Sequence, residues 1–340
     1  MADPLRIGVL GCADIARRRM LPAFAADPDT ALVAVASREG RRAAELARAH
    51  EGCAAVEGYA QLLATEGVEA VYVPLPVALH AQWVEAALLA GKHVLAEKPL
   101  TADPADTRRL LALARSWGLV LMENVMFVHH PQHAAVRSLV EDGAIGEPRS
   151  LSARFGVPRL PPGDIRYAPE LGGGALLDIG VYPVRAAVHL LGSPLRVVGA
   201  TLESGPHAVV ETSGTALLRA ESGVAAQLAF GMDHGYRSSY ELWGSEGRIS
   251  VRRAFTPPAD HRPVLRLERR GGVEEIALEP ADQVALTVAA FVRACRAGHG
   301  GAPDADACLE QSDLLDGIRR SSGPPTPHAA HAAHAAEGHR

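Results

Sequence analysis

The sequence predicts a two-domain α/β protein, a doubly wound parallel sheet followed by an α+β domain with an open, mostly antiparallel or mixed sheet. Three observations predict it. The 340 residues leave room for about two domains of roughly 100–200 residues each. Over the first 123 residues, short runs that are apolar throughout alternate with helix-like stretches. Such strands are buried on both faces and joined by helical crossovers. From residue 195 to 278 the pattern becomes alternating strands with Gly turns, as in SGVAAQLAFGM and GRISVRR, which favours antiparallel or mixed pairing.

Taken in order, LRIGVLG (5–11) reads as a buried strand, residues 14–26 as a helix, ALVAVAS (31–37) as the next strand and Arg41 to His50 as a helix. Val71 to Pro74, His93 to Ala96 and Leu119 to Met122 are further strands, separated by helices around 78–90 and 103–117. A helix at 130–142 leads to a strand near 148–157, a Pro/Gly-rich loop at 159–174 and an apolar helix to about 191. Helices at 282–297 and 304–320 close the fold. The expected divisions are a dinucleotide-binding domain at 1–123, a substrate-binding and oligomerisation domain at 124–320, and a flexible low-complexity tail at 321–340.

Composition narrows the function. A formal net charge of −5 gives no reason to expect a nucleic-acid polymer or an acidic membrane as partner. MADPLRIGVLG runs straight into a strand without a signal-type segment, and no apolar run reads as a membrane helix. Cys12, Cys53, Cys295 and Cys308 form no C-x-x-C pair. They read as reduced thiols of a cytoplasmic protein.

Gly11-Cys12-Ala13-Asp14-Ile15-Ala16 lies between the first strand and the first helix. It is a variant of G-x-G-x-x-G/A with Ala13 in the second glycine slot and Ala16 in the third. The first glycine permits the tight turn, and small residues let the backbone approach a pyrophosphate at the helix N-terminus. Ser37 and Arg38 stand where an acidic residue usually holds the ribose of NAD, with Arg41 and Arg42 following. A guanidinium there can pair with a 2′-phosphate, which favours NADP, although Glu39 is also placed to serve as a ribose ligand.

Glu97-Lys98-Pro99 follows the strand HVLA, at the sheet edge that faces the ligand crevice. Gly172-Gly173-Gly174 precedes a helix on which Asp178 and Tyr182, spaced i, i+4, share a face. A dinucleotide enzyme that moves a hydride to or from a carbon–oxygen bond also needs a group that exchanges the proton. The unperturbed phenol of Tyr182, near ~10, is too weak an acid at neutral pH, and a nearby Lys98 ammonium would lower it. Asp178 would orient either partner. Asp164 and Arg166 in the preceding loop are candidates for a cofactor or a substrate phosphate. His129 and His133 have zinc-like spacing but no supporting ligand, so no metal is expected.

At this point GVLGCADIA, AEKPL and GGGALLDIGVYP together resemble the family that includes glucose–fructose oxidoreductase and inositol dehydrogenase, the Gfo/Idh/MocA type. The resemblance covers nearly the whole chain to about residue 320. It implies a Rossmann domain, a second domain whose open sheet often mediates dimers or tetramers, and a catalytic Lys98. Many members carry His where Tyr182 stands, so Tyr argues against the alcohol-oxidising branch. Residues 122–133 and 159–187 resemble the sugar-nucleotide 3-ketoreductases of deoxysugar biosynthesis. That likeness implies NADPH-dependent reduction of the C3 ketone of a dTDP-3,4-diketo-2,6-dideoxyhexose, with Lys98 and Tyr182 as the catalytic pair.

Expected cofactor contacts are Gly11, Cys12, Ala13, Asp14, Ile15, Ser37, Arg38, Arg42, Pro74, Leu75, Pro76, His80, Glu97, Lys98 and Arg166. Expected substrate contacts are Asn124, Phe127, His129 and Tyr182. The alternatives are an NAD(P)-dependent dihydrodiol, polyol or sugar dehydrogenase, and then a non-catalytic dinucleotide-binding regulator.

Overall fold

In the computed structural model, residues 3–205, 208–298 and 304–327 are described. The chain opens with β1 (Leu5–Leu10), a π-helical turn at Ala16–Met20 running into α1 (Leu21–Ala26), then β2 (Thr30–Ser37), α2 (Gly40–Ala47), β3 (Ala54–Glu57) and α3 (Tyr59–Leu63). Next come β4 (Ala70–Val73), α4 (His80–Leu89), β5 (His93–Glu97), α5 (Pro104–Ser116) and β6 (Leu121–Asn124). These strands form a six-stranded sheet in the order β3-β2-β1-β4-β5-β6, parallel throughout. The winding reverses between β1 and β4, and a crevice opens beyond the strands' carboxyl ends there.

Both faces of the sheet are covered, as the uninterrupted apolar runs require. Ile7 and Val9 of β1 face Met20 and Phe24, whereas Leu10 packs with Val71, Val73 and residues of α4 and α5. One strand was not legible: β3, AAVE, is a largely exposed edge strand with no apolar run to mark it.

The second domain contains α6 (Pro131–Glu141), β7 (Pro148–Gly156), α7 (Val181–Leu191), β8 (Leu195–Ser204), β9 (Ser213–Ala220), β10 (Ala225–Gly231), β11 (Arg237–Gly244), β12 (Gly247–Arg252), β13 (Val264–Arg269) and β14 (Gly272–Ala277). α8 (Gln283–Arg296), α9 (Ala305–Ser322) and β15 (Thr326–Pro327) follow. The nine-stranded sheet runs β14-β13-β12-β11-β7-β10-β9-β8-β15. It is mixed, with β7–β10 and β8–β15 parallel and the other pairs antiparallel. Its strands alternate in burial, so one face packs on α7 and α9 and the other is open.

The closing helices return to the first domain. Val284, Val288 and Phe291 of α8 join the core that holds Phe24. On α9, Ser312 meets Thr107 at 3.1 Å and Asp313 pairs with Arg108 at 2.9 Å. The expected tail boundary at Ser321 falls inside α9, and Thr326–Pro327 add a short strand beside β8. The tail histidines His328, His331, His334 and His339 lie outside the described residues. Pro169–Leu191 does have the length and apolar composition of a membrane span, with mean hydropathy 1.3 over its best window, but 72% of that window is buried in the domain core.

Candidate active site

The loop after β1 is shaped by Gly11. Its φ of +123° suits glycine, and a Cβ there would lie 2.9 Å from Leu75 Cδ2. Its amide donates to Ala36 O at 2.9 Å, locking the loop onto β2. Cys12, Ala13 and Ile15 are half-buried, and the exposed Asp14 pairs with Arg17 and Arg18 of its own helix at 2.8 and 3.4 Å. Pro74, Leu75 and Pro76 follow β4, and the Leu75 side chain and Pro74 carbonyl wall the loop at Gly11.

Ser37 is buried at the end of β2, and its Oγ accepts from Glu39 N at 3.2 Å. Arg38 is exposed and has no ion pair among the described residues, whereas Arg42 lies 3.8 Å from Glu39. These features fit NADP: a crowding-free turn for the pyrophosphate, a helix start behind it and, at the ribose edge, a guanidinium without an ion pair among the described residues.

Forward of this loop, β5 delivers Glu97 and Lys98, and the Lys98–Pro99 peptide is cis. Glu97 Oε1 accepts from Tyr72 Oη at 2.7 Å and from Asn124 Nδ2 at 2.6 Å. Lys98 Nζ donates to Asp178 Oδ1 at 2.7 Å and to the Asp178 carbonyl at 2.8 Å. The other Asp178 oxygen accepts from Arg166 Nε at 2.7 Å, and Arg166 Nη1 lies 3.1 Å from Asp164. Lys98 Nζ stands 5.1 Å from the centre of the Tyr182 ring. That ring packs against Phe155, centroids 4.8 Å apart.

Asp178 lies in a π-helical turn, Leu176–Gly180, that leads into α7. Gly174, at φ +123°, makes the entry possible, since a Cβ there would meet Glu211 Oε1 at 2.3 Å. Glu211 caps the turn: its carbonyl accepts from Ala175 N at 2.9 Å and its carboxylate from Leu176 N at 3.1 Å. Nothing in the glycine run announces this distant cap.

The electrostatics follow from crowding. Burial raises the Asp178 carboxyl, but Lys98 and Arg166 outweigh it and hold the group below its ordinary range. Burial works against the Lys98 ammonium, and Asp178, Tyr182 and Glu97 more than compensate, so Lys98 stays charged. For Tyr182 the expectation is corrected: burial pushes the phenol up, and Lys98 only partly pulls it back.

The structure brings together Glu97, Lys98, Arg166, Asp178 and Tyr182, and moves four other candidates out of the crevice. His80 is 1% exposed, with Nε2 2.7 Å from Leu75 O and Nδ1 3.0 Å from Pro99 O, so it braces two loops from beneath. Asn124 is buried and spends its amide on Glu97. Phe127 is fully buried in an aromatic cluster behind Tyr182. His129 lines a separate cavity of about 530 Å³ with Arg185, His189 and Arg293. Periodicity could not separate a side chain facing the crevice from one facing the core beside it. Sequence reasoning missed Tyr72, Glu211, Glu123 and Arg185, which act through partners remote in the chain.

Two family models cover most of the molecule. Residues 5–125 match the oxidoreductase family with an NAD-binding Rossmann fold, and residues 133–250 match the GFO/IDH/MocA C-terminal domain. The chain belongs to the Gfo/Idh/MocA oxidoreductase family. Within the family it is 57% identical over 327 residues to dTDP-3,4-didehydro-2,6-dideoxy-alpha-D-glucose 3-reductase of Streptomyces violaceoruber, covering 94% of this chain and 95% of the relative. The enzyme of the same name from Saccharopolyspora spinosa is 52% identical, with 94% and 97% covered. Among solved structures, the 3-ketoreductase KijD10 of Actinomadura kijaniata, in complex with NADP and TDP-benzene, superposes with a TM-score of 0.92 at 49% identity, covering 96% of this chain and 100% of that one. KijD10 has also been crystallised as a Tyr-to-Phe and as a Lys-to-Ala variant.

Proposed function

We propose that this protein is an NADPH-dependent 3-ketoreductase that reduces the C3 ketone of a dTDP-3,4-diketo-2,6-dideoxyhexose in deoxysugar biosynthesis. One observation carries the reading. Lys98 Nζ sits between the carboxylate of Asp178 and the ring of Tyr182, at the mouth of the dinucleotide crevice. The relatives named for this reaction, and the NADP and TDP-benzene complex, support the substrate class.

When bound, NADPH supplies the hydride that goes to C3. Tyr182 gives its phenolic proton to the oxygen that becomes the hydroxyl. The Lys98 ammonium beside the ring stabilises the tyrosinate left behind and counters part of the upward push of burial. Asp178 holds Lys98 through both a carboxylate and a carbonyl contact, and Arg166 fixes the second Asp178 oxygen. Arg38 would hold the 2′-phosphate.

The test is NADPH consumption with the dTDP-diketosugar, run beside NADP⁺ reduction with polyols and dihydrodiols. Turnover confined to the second arm overturns the reading in favour of a dehydrogenase. The assembly proposed is a homodimer or homotetramer joined through the open sheet face, on which Trp243 is 61% and Leu217 39% exposed. Four free cysteines support a cytoplasmic setting.

A further inference from the structure

Behind the crevice lies a buried charge cluster that the proposed chemistry does not use. Glu123 of β6 has a fully buried carboxylate. Its Oε1 accepts from Leu100 N at 2.8 Å and from Gln311 Nε2 at 2.7 Å. Its Oε2 faces Arg185 Nη2 at 3.3 Å, and that side chain is 2% exposed. Arg185 also pairs with Asp304, just before α9.

The placement of these partners is what matters. Leu100 is two residues beyond Lys98, across the cis Pro99. Arg185 is on α7, one turn beyond Tyr182. One carboxylate therefore grips the strand end that carries Lys98 and the helix that carries Tyr182. His80 pins the Lys98 side from the other direction, with Nδ1 3.0 Å from Pro99 O and 3.2 Å from Leu100 O.

We infer that Glu123 is a positioning residue: by holding Leu100 N and Arg185 together it sets the spacing between Lys98 and Tyr182. The inference rests on the ketoreductase reading above. A buried ion pair is weak evidence for stability in itself, because desolvation offsets much of the attraction. Burial raises the Glu123 carboxyl, and Arg185, Gln311 and Leu100 N oppose that rise. A group held so awkwardly, yet tied to both halves of the catalytic pair, points to geometry as its role. Reactive groups displaced by about 1 Å lose on the order of 10²-fold in rate.

The experiment compares wild type and Glu123→Gln for kcat, for NADPH dissociation constant and for the isotope effect with 4-deuterated NADPH. Glutamine still accepts from Leu100 N but turns a donor toward Arg185. The expected result is a fall in kcat of about 10- to 100-fold with a larger isotope effect, while NADPH affinity stays within about 2-fold. Should that variant fail to fold, Glu123→Gln/Arg185→Met removes both charges and leaves the half-exposed Asp304 to solvent. The same loss is expected of it. Wild-type kcat in either folded variant overturns the inference. So does a parallel loss of NADPH binding, which would mark a general structural role. A wild type without reductase activity would instead defeat the ketoreductase reading, so the two failures are separable.

Discussion

The two sheets contribute to the site in different ways. The six-stranded sheet is covered on both faces, and apart from its exposed edge strand β3 it meets the site along the line of strand ends. Gly11, Ser37, Leu75, Glu97 and Lys98 all lie on that line. The nine-stranded sheet has an open face, yet supplies no polar group of the catalytic cluster. Its domain contributes Arg166, Asp178 and Tyr182 from the loop and helix between β7 and β8, and the sheet only backs them, through Phe155. The first domain holds what is common to dinucleotide enzymes, and the second brings the proposed proton donor.

This division can be broken most sharply at Tyr182. Tyr182→Phe keeps the packing against Phe155 and removes the hydroxyl, so kcat is expected to fall about 10²–10⁴-fold with NADPH binding nearly unchanged. Steady-state rates and fluorescence titration of NADPH check it. Lys98→Ala should fall comparably. The double variant should be little worse than the poorer single, because the two side chains act in one step. Fully additive losses would contradict that.

The opposite dissection is Arg38→Ala in the first domain. Loss of a charge-assisted contact of about 1.5–3 kcal/mol should weaken NADPH about 10- to 100-fold, leave NADH nearly unaffected and spare kcat at saturation. Equal wild-type affinity for the two cofactors would refute the 2′-phosphate assignment.

Much of this was legible because its signals are local. The strand-end motifs 11–16, 37–38 and 97–99 are contiguous and sit where runs of β-type residues stop, so both identity and place could be read. Asp178 and Tyr182 were readable as one helix face. The candidates that turn toward other partners share a different cause. His80, Asn124, Phe127 and His129 all lie within a few residues of the crevice, and the direction of each was decided by partners elsewhere: Leu75 O, Glu97, Phe255, and the cavity wall by Arg185. The phenol shift was misjudged for a related reason, since the charge of Lys98 was visible in the sequence but the burial of Tyr182 was not.

A smaller effect comes from pH. Burial pushes His189 down to about 4, with Arg137, Arg185 and His129 adding to the shift. A histidine kept neutral in the fold costs nothing above its unfolded value near 6.5. Below that value the unfolded chain takes up the proton first, so stability should decline as pH falls from about 6.5 to 4, by up to about 3 kcal/mol from this group. Thermal melts across that range, with His189→Asn showing a flatter profile, check it. The Asp178 carboxylate acts at lower pH: its contribution is present above the ordinary carboxylate range and fades as pH falls through its depressed value.

The smallest change is expected at the C-terminal edge. Ending the chain after Arg320 removes the last residues of α9 and the short β15. The expected cost is about 1 kcal/mol, seen as a Tm lower by about 2–4 °C with kcat unchanged. Loss of soluble protein would show that β15 is needed to hold β8.

Gln311 and Glu123 are separated by 188 positions, and Lys98 and Asp178 by 80. A ribosome emits the strand ends of the dinucleotide crevice long before the proposed proton donor, and the donor before the helix that braces it. A chain interrupted after β6 carries the strand ends and Lys98 but neither Asp178, Tyr182 nor α8, and one interrupted before α9 carries both proposed reactive side chains on a scaffold whose brace is missing. Reductase activity is therefore expected to arrive late in translation, as a property of the nearly finished polypeptide.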